Sequence, residues 1–312
     1  LVNLSPVIEM DKKMINNAKK PLIKMRELSR EMTLSKIKHY AIKLLKNELT
    51  QDLAGQSFHN DKTSKLLEKK KIKVNIVARE KLILCGIEFI KQFIKQLDKG
   101  IHFETKFSDG DLIKSKETIA IITGEAKKIL STERTVLNFL QHLSSISSTT
   151  YDLIKVLNNS KIKLLDTRKT ITGLRIIQKY ATQVGGARNH RMGLYDGILI
   201  KDNHIKVLGG MKKTLQHVRE KKIKKYKIEC DNYNQVKLCI ESGARYLLLD
   251  NMSVNEIKKS IKLKKNKKVK FEITGGINKK NISNYSKLKV DYISVGFITQ
   301  NPISKDIGLD II

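Results

Sequence analysis

The sequence predicts a mixed α/β protein in two parts: a small α+β unit with a largely antiparallel sheet, then a parallel βα array. Three observations carry this. The chain of 312 residues is long enough for one large or two ordinary domains with a buried core. Its first half mixes helical periodicity with alternating strands. From residue 226 onward, apolar strand starts recur about every 20 to 23 residues, the repeat of a βα array.

Taken in order, residues 1–30 are polar and helix-permissive and are set aside as an N-terminal extension; the first residue is Leu. Leu34, Ile37, Ala41, Leu44 and Leu45 recur at helical spacing and predict an amphipathic helix over 34–50, followed by a polar loop to about 64. Ile72, Val74, Ile76 and Ala78 alternate over 72–79 like a half-buried strand. The stretch 84–97 returns to a helical period, and 101–107 and 118–123 read as strands around a turn at Asp109-Gly110-Asp111. Ser131-Thr132-Glu133 supplies a helix start before Val136, Leu137, Leu140 and Leu143, so 131–145 is expected as a buried helix with Arg134 in its first turn. Beyond it, strands are expected at 162–166, 196–201, 226–230, 246–250, 269–273 and 291–295, with helices near 150–157, 174–184, 211–219, 232–242, 253–263 and 278–286. These runs show no consistent alternation, which predicts strands buried on both faces of a barrel or a doubly wound sheet.

Hydrophobic residues make up 40% and charged residues 30%, as in a folded rather than a disordered chain. No stretch approaches the roughly 20 apolar residues that cross a bilayer, and no apolar block follows the basic residues near the N-terminus, so membrane and secretory readings find no support. Cys85, Cys230 and Cys239 lack metal-ligand spacing and read as free thiols in a reducing compartment, with the cytoplasm as the expected location.

The formal net charge of +31 invites a polyanion partner. Only ten of the 62 basic residues are arginine, however, aromatics are 5%, and Trp is absent. The Arg forks and stacking rings of a nucleic-acid surface are missing, so the lysines, slightly denser at 69–71 and 262–268, read as a solvated surface without a specific nucleic-acid partner. In so lysine-biased a chain, arginine marks places that need a planar bidentate fork. Arg168, Arg175, Arg188 and Arg191 fall within one 24-residue window.

In a βα array the loops at the C-terminal strand ends carry the reactive groups. Those ends read Asp166-Thr167-Arg168-Lys169, Lys201-Asp202-Asn203-His204, Glu229 with Asp231, Asp250-Asn251, Thr274-Gly275-Gly276, and Ser294 with Gly296. They are cationic first, acidic next and glycine-rich last. Arg168, Lys169, His190, Arg191 and Lys201 converging on one mouth suit a small substrate with more than one carboxylate, although Arg168-Lys169 alone reads equally as a solvated pair. Glu229 and Asp250 could both ligate Mg2+ beside phosphate oxygens, or could cap the helices that follow. Gly275, Gly276 and Gly296 stand where a phosphate rests against backbone N–H groups. His39, His59, His102, His142 and His217 lack clustered partners and read as surface or core histidines. His204 reads as orienting the Lys201 loop or as catalytic, and Arg175 and Arg188 as ion-pair or pocket-rim residues. No G-x-S-x-G, P-loop or Cys/His metal set is present, and Gly185-Gly186 lacks a dinucleotide-type strand-to-helix context.

The runs TRKTITGLR at 167–175 and KYATQVGGARNHRMGLYDGILIKDNH at 179–204 resemble the quinolinate phosphoribosyltransferases, decarboxylating enzymes that make nicotinate mononucleotide. The likeness continues through STERTVLNFLQHLSS at 131–145, IECDN at 228–232, LLLDN at 247–251, TGGI at 274–277 and ISVG at 293–296, and covers the chain from about 34 to the C-terminus. A molybdenum-associated branch of the same fold is disfavoured because Lys201 stands in IKDNH.

The resemblance implies an N-terminal α+β open-faced sandwich (31–137 with 299–312) and an incomplete α/β barrel (138–298). It implies a homodimer in which one subunit lends Arg134 to the barrel mouth of the other. By matching motif positions, quinolinate would be held by Arg134, Arg168, Lys169, His190, Arg191 and Lys201. Phosphoribosyl pyrophosphate and Mg2+ would be held by Glu229 and Asp250, with the 5′-phosphate near Thr274, Gly275, Gly276, Ser294 and Gly296. Lys169, Lys201, Glu229 and Asp250 would carry the chemistry. Four positions depart from the family pattern: Thr172, Ala187, Ser145 and Gln300. The alternatives are a sibling transferase acting on nicotinate or another base, and a polynucleotide-binding protein that uses the barrel as a scaffold.

Overall fold

A computed structural model describes residues 33–55, 57–67, 70–264 and 268–312. The expected N-terminal extension lies outside these residues, as do parts of the lysine-rich stretches at 69–71 and 262–268. The elements run α1 (Leu34–Asp52), β1 (Lys71–Ala78), β2 (Leu82–Ile83), α2 (Ile87–Leu97), β3 (His102–Glu104), β4 (Leu112–Ile113), β5 (Thr118–Glu125) and α3 (Ala126–Leu157). They continue with β6 (Lys163–Leu165), α4 (Arg175–Val184), β7 (Leu199–Ile200), α5 (Asp202–Val207), α6 (Met211–Glu220), β8 (Lys227–Cys230) and α7 (Tyr233–Glu241). The last are β9 (Tyr246–Asp250), α8 (Val254–Lys262), β10 (Lys270–Thr274), β11 (Tyr292–Ser294), α9 (Phe297–Gln300) and β12 (Ile307–Ile311). The chain forms two compact units: one of residues up to Tyr151 with 172–186 and 301–312, the other of 152–171 and 187–300.

In the first unit, Thr33 caps α1 and turns Ile37, Ala41, Leu45 and Leu49 inward, as the spacing predicts. An antiparallel sheet of order β12-β1-β5-β3 buries Val74 and Ile76 opposite Ile122 and Ala120, while Lys73 and Asn75 take the other face. The β12 strand pairs Ile307 with Ala78, so the C-terminal tail does return to this sheet. Helix α2 starts at Ile87 rather than 84 because Gly86, at φ +102°, turns the chain there. Asp109 accepts the N–H groups of Gly86 and Ile87 at 2.8 and 2.9 Å and the Tyr180 hydroxyl at 2.7 Å, so an expected turn residue is a buried cap.

Three expectations need correction here. The helices expected at 131–145 and 150–157 are one helix, α3, and Ser131-Thr132-Glu133 lies inside it rather than at its start. Buried hydroxyls do not break it because they bond back to carbonyls one turn earlier: Thr132 to Lys128, Ser145 to Gln141 and Thr150 to Ile146. The domain boundary expected at 137/138 falls instead at 151/152, and 172–186 joins the first unit. The reason is packing. Leu140, Leu143 and Ile146 of α3 and Ile177, Tyr180 and Ala181 of α4 share one core with the sheet. Finally, the helix expected at 278–286 is only a short 3-10 turn, Ile282–Tyr285.

The second unit carries a six-stranded parallel sheet of order β6-β11-β10-β9-β8-β7. Consecutive strands are neighbours and the first also pairs with the last, which is the cyclic order of a barrel with one seam, between β6 and β7, left unpaired. A doubly wound sheet would place its first strand centrally. Beside that seam, Arg188 bonds by its main chain to Leu164 and Asp166. The strands are largely buried on both faces, as expected, yet their two faces do differ in kind. Ile228, Cys230, Leu247, Leu249, Phe271, Ile273 and Ile293 form an outer apolar face in the core with the helices. The other face, by parallel register, carries Lys227 and Glu229, Tyr246 and Asp250, Glu272 and Thr274, and Tyr292 and Ser294. Both faces are largely buried, so apolarity alone hid the two-residue period.

Candidate active site

The polar face of the second unit gathers most of the expected site residues, while Arg134 belongs to the first unit, exposed on α3. At the ends of β7 and β8, Lys201 Nζ meets Glu229 Oε1 at 2.6 Å. Glu229 Oε2 accepts the backbone N–H of Asp202 at 3.3 Å, and Lys201 N donates to His204 Nδ1 at 2.9 Å, which fixes the loop that presents this lysine. Asp250 ends the neighbouring strand. Its carboxyl is pushed above the usual range by burial first and by the Glu229 carboxylate next, with Lys201 pulling the other way.

Arg191 follows His190 on the segment after the β6 seam. Its Nη1 donates to Gly197 O at 2.9 Å, yet its buried Nε has no hydrogen-bond partner among the described residues. The buried Nε of Arg168 is in the same condition. Burial and the nearby Arg168 charge both lower the Arg191 pKa, while Glu229 and Asp196 oppose them. Two guanidiniums with unmet buried donors call for an anion with more than one acceptor.

The first and last strand ends also meet. Thr299 Oγ1 donates to Lys169 O at 2.7 Å, and a Cβ placed on Gly296 would lie 3.2 Å from Lys169 Cδ and 2.8 Å from Gln300 Oε1. Any side chain at 296 would crowd that lysine. Gly275 adopts φ +93°, and a Cβ there would fall 2.1 Å from Asn251 Oδ1. Only glycine lets this loop pass the end of β9. Ser294 is buried at the end of β11, and Thr274 stands beside Asp250 in register.

Sequence reasoning missed Lys227, Glu272 and Asn189 as site groups, and placed Asp166 at a strand end without a role. Asp166, fully buried, accepts the His190 N–H at 2.7 Å and Asn189 Nδ2 at 2.5 Å, and so fixes the segment carrying Arg191. Glu272 pairs with Lys227 at 3.1 Å and with His190 at 3.5 Å. The signal was present: a charged residue in mid-strand, as in KFEIT, is rarely accidental. Of the departures, Ser145 accepts the Lys305 N–H at 2.9 Å and so anchors the C-terminal segment, Ala187 is buried in the barrel core, and nothing in the structure explains Thr172.

The sequence profile described as "Quinolinate phosphoribosyl transferase, N-terminal domain" matches residues 61–144, and the corresponding C-terminal domain profile matches 146–310. The chain belongs to the quinolinate phosphoribosyltransferase family. Among its relatives, the probable nicotinate-nucleotide pyrophosphorylase [carboxylating] of Methanocaldococcus jannaschii is 37% identical over 287 residues, covering 88% of this chain and 99% of that protein. The protein of the same description from Bacillus subtilis is 35% identical over 264 residues, covering 84% of this chain and 88% of that one. The solved structure of the nicotinate-nucleotide pyrophosphorylase from Francisella tularensis superposes with a TM-score of 0.80 at 36% identity, covering 88% of this chain and 97% of that one. The family's two-part architecture, an N-terminal domain before a barrel-like domain, is the one described above. Among the described residues no helix is long and apolar enough to cross a membrane.

Proposed function

We propose that this protein is a decarboxylating quinolinate phosphoribosyltransferase. It converts quinolinate and phosphoribosyl pyrophosphate into nicotinate mononucleotide, pyrophosphate and CO2, a step of NAD biosynthesis. The observation that carries the substrate assignment is the pair of buried, unpartnered Nε donors of Arg168 and Arg191, which suits a diacid better than a mono-acid such as nicotinate. Lys169 and Lys201 complete the cationic wall, with His190 beneath it.

Mg2+ is the proposed cofactor, held by Glu229 and Asp250. The fit rests on the half-buried Asp250, whose carboxyl is pushed up by burial first and by the neighbouring buried Glu229 carboxylate next, a strain that a divalent cation relieves. Among the described residues no group of three or more His, Cys, Asp or Glu could hold a metal, so the remaining ligands must be substrate oxygens and water, as Mg2+ prefers. When bound, the ion neutralises charge on the departing pyrophosphate.

The residues of the chain do the rest. Glycines 275, 276 and 296 leave room for the 5′-phosphate against backbone N–H groups. Arg168 and Arg191 hold the pyridine ring with its nitrogen toward the ribose carbon, so capture of the oxocarbenium-like sugar needs no covalent enzyme intermediate. Once the ring nitrogen is positive, the adjacent C2 carboxylate leaves as CO2 with its electrons stabilised by the pyridinium. Lys201 is already matched by Glu229, which leaves the wall strong enough to bind two carboxylates and able to release one.

Arg134 is proposed to reach the barrel mouth of a second protomer. The exposed apolar residues Leu194, Tyr195, Ile198 and Val207, following Arg191 in the chain, support a surface that another copy covers. Mixing inactive Arg134→Ala and Arg168→Ala proteins should restore activity through hybrid dimers, and no recovery on subunit exchange counts against it. The main test is a coupled assay with quinolinate: equimolar release of CO2 and pyrophosphate is expected, and equal or better turnover of nicotinate would overturn the assignment.

A further inference from the structure

Below the cationic wall, Glu272 lies in mid-strand on β10 with no solvent exposure. A carboxylate there needs partners, because an uncompensated buried charge is strongly destabilising. Its Oε2 takes Lys227 Nζ at 3.1 Å, and its Oε1 faces His190 Nε2 at 3.5 Å. Lys227 reaches across from β8, over the Tyr246 ring of the intervening β9, whose centroid is 4.1 Å from Nζ.

The other nitrogen of His190, Nδ1, accepts the backbone N–H of Arg191 at 2.8 Å. A ring nitrogen that accepts a hydrogen bond carries no proton, so the neutral imidazole has its proton on Nε2, the side of Glu272. Lys227 Nζ lies 3.1 Å from that same Nε2. Both groups face the same carboxylate: Lys227 bonds to Oε2, and Nε2 lies 3.5 Å from Oε1, which has no closer hydrogen-bond partner among the described residues. The ring is therefore held at each nitrogen, by Glu272 on one side and by the main chain of Arg191 on the other.

We propose that Lys227 and Glu272 are positioning residues for the diacid pocket: they fix the tautomer and tilt of His190, which through Nδ1 sets the main chain and hence the guanidinium of Arg191. This rests on the quinolinate reading above and deepens it. His190 then acts on the substrate through Arg191, since both of its ring nitrogens already have protein partners. The competing account is a buried ion pair that only ties β8 to β10. That account predicts a change in stability and none in how quinolinate binds.

The double variant Lys227→Met/Glu272→Gln separates the two, because removing both charges together leaves no lone buried ion. In the full-length enzyme we expect it to fold with a melting midpoint near that of wild type. Its KM for quinolinate should rise about tenfold or more, while the KM for phosphoribosyl pyrophosphate stays within about twofold. Lys227→Arg, which keeps the donor, should stay near wild type. Nitrogen NMR of the histidine side chains reports the tautomer without reference to turnover, the His190 signal being assigned by its loss in His190→Gln. The Nε2–H form is expected in wild type and a mixture in the double variant. In an active enzyme, an unchanged quinolinate KM overturns the proposal whatever the NMR shows. Should wild type release no CO2 from quinolinate, the substrate reading fails on its own. The NMR comparison then decides the positioning claim: loss of the Nε2–H form in the double variant supports it, and retention overturns it.

Discussion

Asp109 in the first unit is a buried charge and Arg191 in the second a partly buried one with a buried Nε, and their surroundings differ. Asp109 has each oxygen engaged, by two backbone N–H groups and by the Tyr180 hydroxyl, all inside its own unit. Arg191, like Arg168, keeps a buried Nε that no described residue accepts. Folded chains seldom leave buried donors unmet, so the saturated Asp109 marks structure and two neighbouring guanidiniums with unmet donors mark a ligand. Buried polar atoms therefore teach opposite things in the two units, and the contrast can be broken by exchanging the roles.

The largest effect is expected at Arg168. Arg168→Ala should lower kcat/KM for quinolinate by about a thousandfold or more, as loss of a charge-assisted fork in a water-poor site does, while leaving the melting midpoint within a degree or two of wild type. Steady-state kinetics beside a thermal melt check both halves. Near-normal turnover, or a large loss of stability, would erase the distinction drawn here.

Asp109→Ala should do the reverse. It strands three buried donors, for which a loss of about 2 to 4 kcal/mol in unfolding free energy is expected, with KM for both substrates unchanged in the protein that remains folded. Urea titration followed by kinetics below the transition gives the answer.

This contrast also shows what the sequence could and could not reveal. Periodicity located β1, α1, α4, α7 and α8 because each buries one face at a regular spacing and most carry their own caps, such as Asn232 and the Ser253–Glu256 box. It failed at α3, where Ser and Thr look like stop and start signals until their hydroxyls are seen bonding back along the helix. It failed again on the barrel strands, since a polar inner face that contains Leu248 between Tyr246 and Asp250 does not look alternating. In the site, strand-end residues were legible because their position is chemical. Glu272 and Lys227 lay deeper: the mid-strand charge flags Glu272 in the sequence, and three-dimensional pairing across β9 supplies its partner.

A smaller, pH-dependent effect sharpens the Asp109 side of the comparison. Burial raises its carboxyl to about 6 from an ordinary 3.8, against the pull of its three hydrogen bonds. Between those values the folded state holds a proton that the unfolded chain has released. The linked stability is thus fully present below the unfolded value and is lost as pH rises through the folded one. Its size is on the order of 3 kcal/mol. Comparing urea midpoints of wild type and Asp109→Asn, wild type should lose ground from about pH 4 to about pH 6 and the difference should then level off. A difference independent of pH over that range would mean that the carboxyl is not held up by its surroundings.

The smallest effects are expected at the exposed lysines, and their smallness is informative. Lys262 sits in the last turn of α8, where a cation stabilises the helix end by a few tenths of a kcal/mol, and Lys268 is exposed just before β10. Lys262→Ala should therefore lower stability by about 0.3 to 0.5 kcal/mol and Lys268→Ala by less, with quinolinate kinetics unchanged for both. The same proteins test the charge of +31 as a polyanion surface. Lysine without Arg forks or stacking rings attracts polynucleotides only through counterion release, so binding should be weak near physiological salt and the two variants should shift it slightly. Tight binding with a steep salt slope that falls in these variants would give the lysine surface a partner of its own. The arginine pair would still define the diacid site, because its unmet Nε donors are buried and these lysines, in the same unit, are exposed to solvent.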